Sequence, residues 1–228
     1  MDLSEINFAV LVASLIVAST PLVLAALGEL IVEKSGVLNL GVEGMMIIGA
    51  VAGFIVGVET GSAYIGMMAA AVAGALLSLL FAFIILIMQA NQVASGLALT
   101  IFGLGIAALM GHPYTGIKSP QISTISIPIL NEIPIIGTMF FQHDLIVYIS
   151  LISVLVIWYF LNHMRAGLIL RSVGEDHDVA HSLGYRVITI RFLAIVFGGA
   201  MAGIGGGYLS LVRVPQWTEG MTAGAGWI

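Results

Sequence analysis

Long apolar runs separated by short polar interruptions set the pattern of this chain. A helix needs about 20 apolar residues to cross a bilayer. Six runs of that kind are present, at 8–27, 41–58, 63–88, 93–111, 144–161 and 192–212. The expected fold is all-α: a polytopic transmembrane helical bundle forming one membrane domain over 1–228. The second run is short and Gly-rich. It suits a tilted helix, a broken one, or one continuous with the charged segment before it. Apolar residues begin again at Gly226, Trp227 and Ile228 and are then cut off. The chain therefore reads as C-terminally incomplete, with further spans expected to follow.

Between the first two runs, residues 28–49 read G-E-L-I-V-E-K-S-G-V-L-N-L-G-V-E-G-M-M-I-I-G. Glu29, Glu33, Lys34 and Glu43 stand here beside apolar spans. A charge at the centre of a bilayer costs roughly 2.5–3.5 kcal/mol. These four must lie at an aqueous interface, line a protein cavity, or be paired. The glycines and Asn39 weaken a regular helix. A charged, Gly-interrupted stretch between spans is where transporters build a pathway.

Composition supports a bilayer as the solvent. Hydrophobic residues make up 60% of the chain and charged residues 8%, against about 25% charged in soluble domains. The net charge of −5 comes with no basic run, which argues against nucleic acid as a partner. The absence of cysteine excludes disulfides, thiolate nucleophiles and Cys-based metal sites. The N-terminus, M-D-L-S-E-I-N, lacks the positive region of a signal peptide, so the first run reads as a retained span.

Cationic residues orient the bundle, because cytoplasmic loops carry an excess of Lys and Arg. Arg165, Arg171, Arg186 and Arg191 all lie between the fifth and sixth spans, which places 162–191 in the cytoplasm. Lys34 then falls inside, and Lys118, Arg213 and the acidic N-terminus outside. The outside stretch 111–144 holds four of the six prolines and is too interrupted for a spanning helix. Short strands or a cap lying along the membrane surface suit it.

Two glycine stripes recur at every fourth residue: Gly49, Gly53, Gly57 and Gly199, Gly203, Gly207. Each lets helices cross closely, within the chain or at a subunit interface. The glycines at 203–207 sit inside an apolar span with no preceding strand, and no Walker G-x-x-x-x-G-K-[ST] string is present. His112, His143, His163, His177 and His181 lie near span ends and read as solvated residues. No metal, cofactor or catalytic constellation is expected.

In the cytoplasmic loop, Glu175, Asp176 and Asp178 bunch after Gly174. Acidic residues favour a helix N-terminus, and Gly184 suits a C-terminal glycine. The pattern predicts a helix of two to three turns over 175–183. A helix that short is unstable alone in water. It must dock, either on its own membrane domain as a linker or into a cytoplasmic motor subunit.

Residues 28–50 closely resemble the signature of permease subunits of nucleoside-type ABC importers, within the branched-chain amino acid and simple-sugar permease group. The N-L-G-V-E-G form at 39–44 is similar to the nucleoside branch. In that group a coupling segment E-A-A-x-x-x-G occurs; here Asp178, Val179 and Ala180 lead to Gly184, with Asp for Glu and Val for the first Ala. R-S-V-G-E-D at 171–176 and M-T-A-G-A-G-W-I at 221–228 resemble two further motifs of the group. The resemblance implies a bacterial-type plasma-membrane location and three partners. These are a cytoplasmic ATPase, a second related permease subunit, and an extracytoplasmic substrate-binding lipoprotein.

The expected function is an ABC permease subunit for nucleosides, with simple sugars or branched-chain amino acids as alternative substrates. Asn39, Glu43 and Glu29 are the candidate pathway residues. An Asn amide both donates and accepts, as base and ribose edges require. For Glu43 a structural role, bonding backbone freed by a broken helix, stands equal to substrate contact. Glu175, Asp176, Asp178, Ala180 and Gly184 are the candidate coupling residues. Intramembrane acids also suit ion coupling, so a secondary carrier or channel is the rival class.

Overall fold

The computed structural model describes residues 8–126 and 140–227. Six of its helices are long and apolar enough to cross a membrane. They are α1 (Phe8–Lys34), α2 (Val42–Thr60), α3 (Ala63–Ala82), α4 (Gln92–Gly111), α5 (Leu145–His163) and α8 (Val187–Tyr208). Two shorter helices, α6 (Arg165–Glu175) and α7 (His177–Ser182), lie between α5 and α8. Helix α3 widens into a π turn over Phe83–Ile87, and α8 into another over Leu209–Arg213. A two-residue antiparallel pair, Ile125–Ser126 with Gln142–His143, is formed in the stretch between α4 and α5. The rest of the cap expected there, at 127–139, lies outside the described residues, as do the N-terminus and the continuation expected beyond Ile228.

Several expected boundaries move. Helix α1 does not end near residue 27; it carries Glu29, Glu33 and Lys34 on for two further turns. The interruption expected within 28–49 is confined to 35–41, where Gly36 takes φ +81. The second span is short, at 19 residues, and unbroken. Tertiary packing explains its regularity: 67% of its most apolar stretch is buried, against 22–44% for the other spans. Surrounded by other helices, α2 holds its backbone bonds despite its glycines.

Close helix crossing builds the core. A side chain at Gly49 would overlap the backbone of Gly203, and one at Gly206 would overlap the Met46 carbonyl. Gly203 and Gly74 face each other's backbones across α3 and α8, while Gly53 and Gly207 both meet Ala70 of α3. Gly57 meets Leu211, and Gly199 meets Ser78. Both glycine stripes thus lie at contacts among α2, α3 and α8, where backbones approach without intervening side chains. Ser210 adds a hydrogen bond from Oγ to the Ala50 carbonyl, 2.8 Å.

The cationic residues divide between the two ends. Arg191 reaches the turn after Lys34, and α6 packs on the same turn. Lys118 bridges to Gln216, close after Arg213, at the opposite end. From there residues 214–227 turn back into the bundle. Trp217, 2% exposed, fills the space left by Gly111, and Gly226 reaches the first turn of α2. The segment turns on Gly220, Ala223 and Gly224, all with positive φ. Non-helical backbone at membrane depth is tolerated where it is buried in protein or lines a cavity.

Candidate functional site

The break at 35–41 exposes backbone groups that a helix would have satisfied internally, so each requires another partner. Several find one from distant elements and others within the turn itself. Arg191 Nε donates to the Ser35 carbonyl at 3.1 Å, and Val37 N–H donates to Val32 O. Gln92 Oε1, at the start of α4, accepts from Leu38 N–H at 2.7 Å. Glu29 Oε1 accepts from Asn39 N–H at 3.1 Å. The Leu40 carbonyl receives Thr100 Oγ1 and the Trp227 indole N–H. Asn39 closes the turn, its Oδ1 accepting from Gly41 N–H at 3.0 Å.

Glu43, 2% exposed, stands in the first turn of α2. Its Oε1 accepts from Thr222 Oγ1 at 2.6 Å and from Gly224 N–H at 2.9 Å. Its Oε2 accepts from Gly226 N–H at 2.7 Å. A carboxylate has the lone pairs for three such bonds, and bonds to a charged acceptor are the stronger kind. Residues 222–226 are thereby clasped against the start of α2. Asn39 is also buried, and its amide nitrogen lies 3.6 Å from the Met45 sulfur. Glu29 differs, since its Oε2 is buried with no hydrogen-bond partner among the described residues.

Glu29, Asn39 and Glu43 therefore sit along one polar break, with Glu29 bonded to the Asn39 backbone and Glu43 bonded to 222–226. Sequence reasoning missed Gln92, Thr100, Thr222 and Arg191, which satisfy this break. Thr222 lies within a motif quoted above, but nothing local marks its partner. A separate apolar groove of about 580 Å3 lies between α5, α6 and α8, lined by Phe160, Leu170, Ile190 and Phe197 among others. It lacks the polar groups a hydroxyl-bearing solute needs for orientation.

At the end of the bundle that carries Arg165, Arg171 and Arg186, the helix expected over 175–183 begins later. Asp176 is its N-cap, its Oδ1 accepting from Asp178 N–H and Val179 N–H at 3.0 Å each. The helix is one of six residues, His177–Ser182. Glu175 instead ends α6, an 11-residue helix that sequence reasoning did not anticipate. A side chain at Gly167 would overlap the Phe160 carbonyl, so α6 folds tightly back on α5. That tertiary contact overrides the weak helix propensity of its glycines. Gly184, φ +88, ends the turn as a C-terminal glycine. Ala180 is buried with Val173 and Val187, whereas Val179 and Leu183 are 54% and 69% exposed. Of the histidines read as solvated, His143 is buried.

A bundle of membrane-length helices with polar, irregular backbone folded into its interior has the architecture of a multi-pass transport protein. The chain belongs to the branched-chain amino acid transport system / permease component family, whose profile matches residues 11–228. This places it in the plasma membrane and among transport subunits rather than enzymes. It is 40% identical over 215 residues to a Haloferax volcanii protein provisionally named a glucose ABC transporter permease. The match covers 92% of this chain and 65% of that protein. A guanosine ABC transporter permease of Bacillus subtilis is 33% identical, over 100% of this chain and 75% of the relative. A nucleoside ABC transporter permease of Lactococcus lactis is 30% identical, over 96% and 73%. No solved structure matches the chain.

Proposed function

We propose that the chain forms the translocation pathway of an ABC importer for nucleosides. The observation that supports this most is the junction at Glu43. It joins two permease-like segments, 28–50 and 221–227, through three hydrogen bonds inside the bundle. Alternating access requires an element with two arrangements whose balance a partner can shift. The clasped segment 222–226 is that element, and release of Glu43 opens it. Asn39 shapes the turn beside it. Glu29 is the pathway carboxyl with accepting capacity left for a solute hydroxyl or amine.

The motor is a separate cytoplasmic ATPase, docked on α7 through the exposed Val179 and Leu183. In this arrangement Asp176 and Gly184 set the two ends of the docking helix and Ala180 anchors it. Glu175 and Asp178 supply charge at its rim. A second permease subunit and an extracytoplasmic binding lipoprotein complete the importer. A glucose-type sugar is a second reading, supported by the 40% identical relative and its printed name.

Uptake of labelled guanosine, glucose and leucine, by cells expressing the full-length chain with its neighbouring transport genes, tests the proposal. ATP-dependent guanosine uptake that other nucleosides inhibit is expected. Glucose uptake insensitive to nucleosides would establish the second reading. Uptake that persists without ATP and follows an ion gradient would move the chain to the carrier class.

A further inference from the structure

The short helices between α5 and α8 meet the polar break at Gly174 and Gly36, where backbone lies close to backbone. Residue Gly174, in the last turn of α6, lies directly against the turn after α1. A Cβ there would overlap the Lys34 carbonyl and sit 3.0 Å from Gly36 N. From the other side, a Cβ on Gly36 would lie 3.0 Å from the Gly174 Cα and 3.0 Å from Arg191 Nη2. Arg191 completes the contact by donating Nε–H to the Ser35 carbonyl at 3.1 Å. Ser35 is itself fully buried, with its Oγ donating to Val32 O at 2.6 Å.

We infer that Gly174, Gly36 and Arg191 form the joint that carries movement of the cytoplasmic helices to the polar break, with Gly174 and Arg191 as positioning residues for transport. The inference rests on the coupling role proposed above for α7. Helix α7 cannot shift alone, because Ala180 is buried with Val173 of α6 and Val187 of α8. Val173 adjoins Gly174, so a push on α7 becomes a displacement of Gly174. Backbone lies against backbone at Gly36, and no flexible side chain stands between to absorb the displacement. Packed contacts of this kind shift between discrete arrangements rather than deforming smoothly.

From Gly36 the chain is held continuously to the clasp. Leu38 is bonded to Gln92, Asn39 to Glu29 and Gly41, and Leu40 to Thr100 and Trp227. Glu43 then holds 222–226. Arg191 keeps the turn pressed on α6 with a planar guanidinium fork that a shorter amide cannot span.

The test uses the full-length chain assembled with its ATPase in lipid nanodiscs. Leu38→Cys serves as reporter, since Leu38 is 43% exposed and the chain has no cysteine. The rate of alkylation by a soluble maleimide is measured with and without a non-hydrolysable ATP analogue. In the otherwise unmodified chain the two rates should differ. Gly174→Ala and Arg191→Gln should each shrink that difference about fivefold or more, on the scale of ordinary allosteric coupling. Both should still copurify with the ATPase, whereas a general packing defect would lower assembly too. Arg191→Lys, which keeps one donor for Ser35 O, should restore part of the response. Full retention of the nucleotide-dependent difference in both variants overturns the joint and leaves the importer reading standing. Failure of the unmodified chain to assemble with the ATPase overturns the importer reading itself.

Discussion

Thr222 donates its hydroxyl to the Glu43 carboxylate at 2.6 Å across a separation of 179 residues. The bond ties the start of α2, the most buried span, to an irregular segment that re-enters the bundle. Two Gly N–H groups share the same carboxylate, so the carboxylate acts as a three-point clasp.

Replacing Glu43 with Gln keeps the size but puts an NH2 group where backbone N–H donors converge. A buried donor left unmatched costs about 1–3 kcal/mol. Glu43→Gln should lose stability on that scale in detergent denaturation, reach the membrane, and transport poorly. Thr222→Val should lose less, and the double mutant less than the sum, because the two share one bond. Wild-type stability and uptake in Glu43→Gln would remove the clasp from the mechanism.

The glycine contacts separate by geometry. A methyl at Gly203 would overlap the Ala70 carbonyl, while a methyl at Gly105 meets nothing within 4 Å. Gly203→Ala should destabilise by about 1–3 kcal/mol through overpacking. Gly105→Ala should be neutral or stabilise by up to about 1 kcal/mol through helix propensity. Thermal unfolding of the two variants side by side checks the contrast.

Gly184 matters for its backbone. Its φ is +88 and no atom crowds its missing side chain, so strain is the whole effect. A β-branched residue resists this conformation by roughly 1–2 kcal/mol, whereas Asn tolerates it. Gly184→Val should reduce ATPase assembly and substrate-stimulated hydrolysis with normal membrane levels, and Gly184→Asn should keep both. Equal behaviour of the two variants would show that the helix end is not what docks.

Topology is directly measurable. Gln121 and Asn162 are exposed and lie at opposite ends of the bundle. An impermeant thiol reagent applied outside intact cells should label a cysteine at 121 and spare one at 162. The reverse labelling would invert the bundle.

The sequence alone determined the elements whose cause is local. Six apolar runs of membrane length became six membrane-length helices, since lipid leaves a backbone no partner but itself. Gly184 was legible as a helix end, and the cluster after Gly174 as a helix start, misplaced only because Asp176 turned out to be the cap and Glu175 the end of α6. Glycine stripes were visible by period, yet nothing in the period says that Gly49 meets Gly203 or that Gly206 meets Met46. Helix α6 carried an amphipathic period, with Gly167, Leu170 and Val173 at helical spacing on one buried face, and only its packing against α5 placed that face. Tertiary structure alone decided the distant partners of the break and of the helix start after it: Arg191 for Ser35, Gln92 for Leu38, Thr222 for Glu43. Buried polar groups must be satisfied, but that rule names no partner. The choice among distant donors is made by how six helices cross, and crossing depends on shape complementarity summed over the whole bundle.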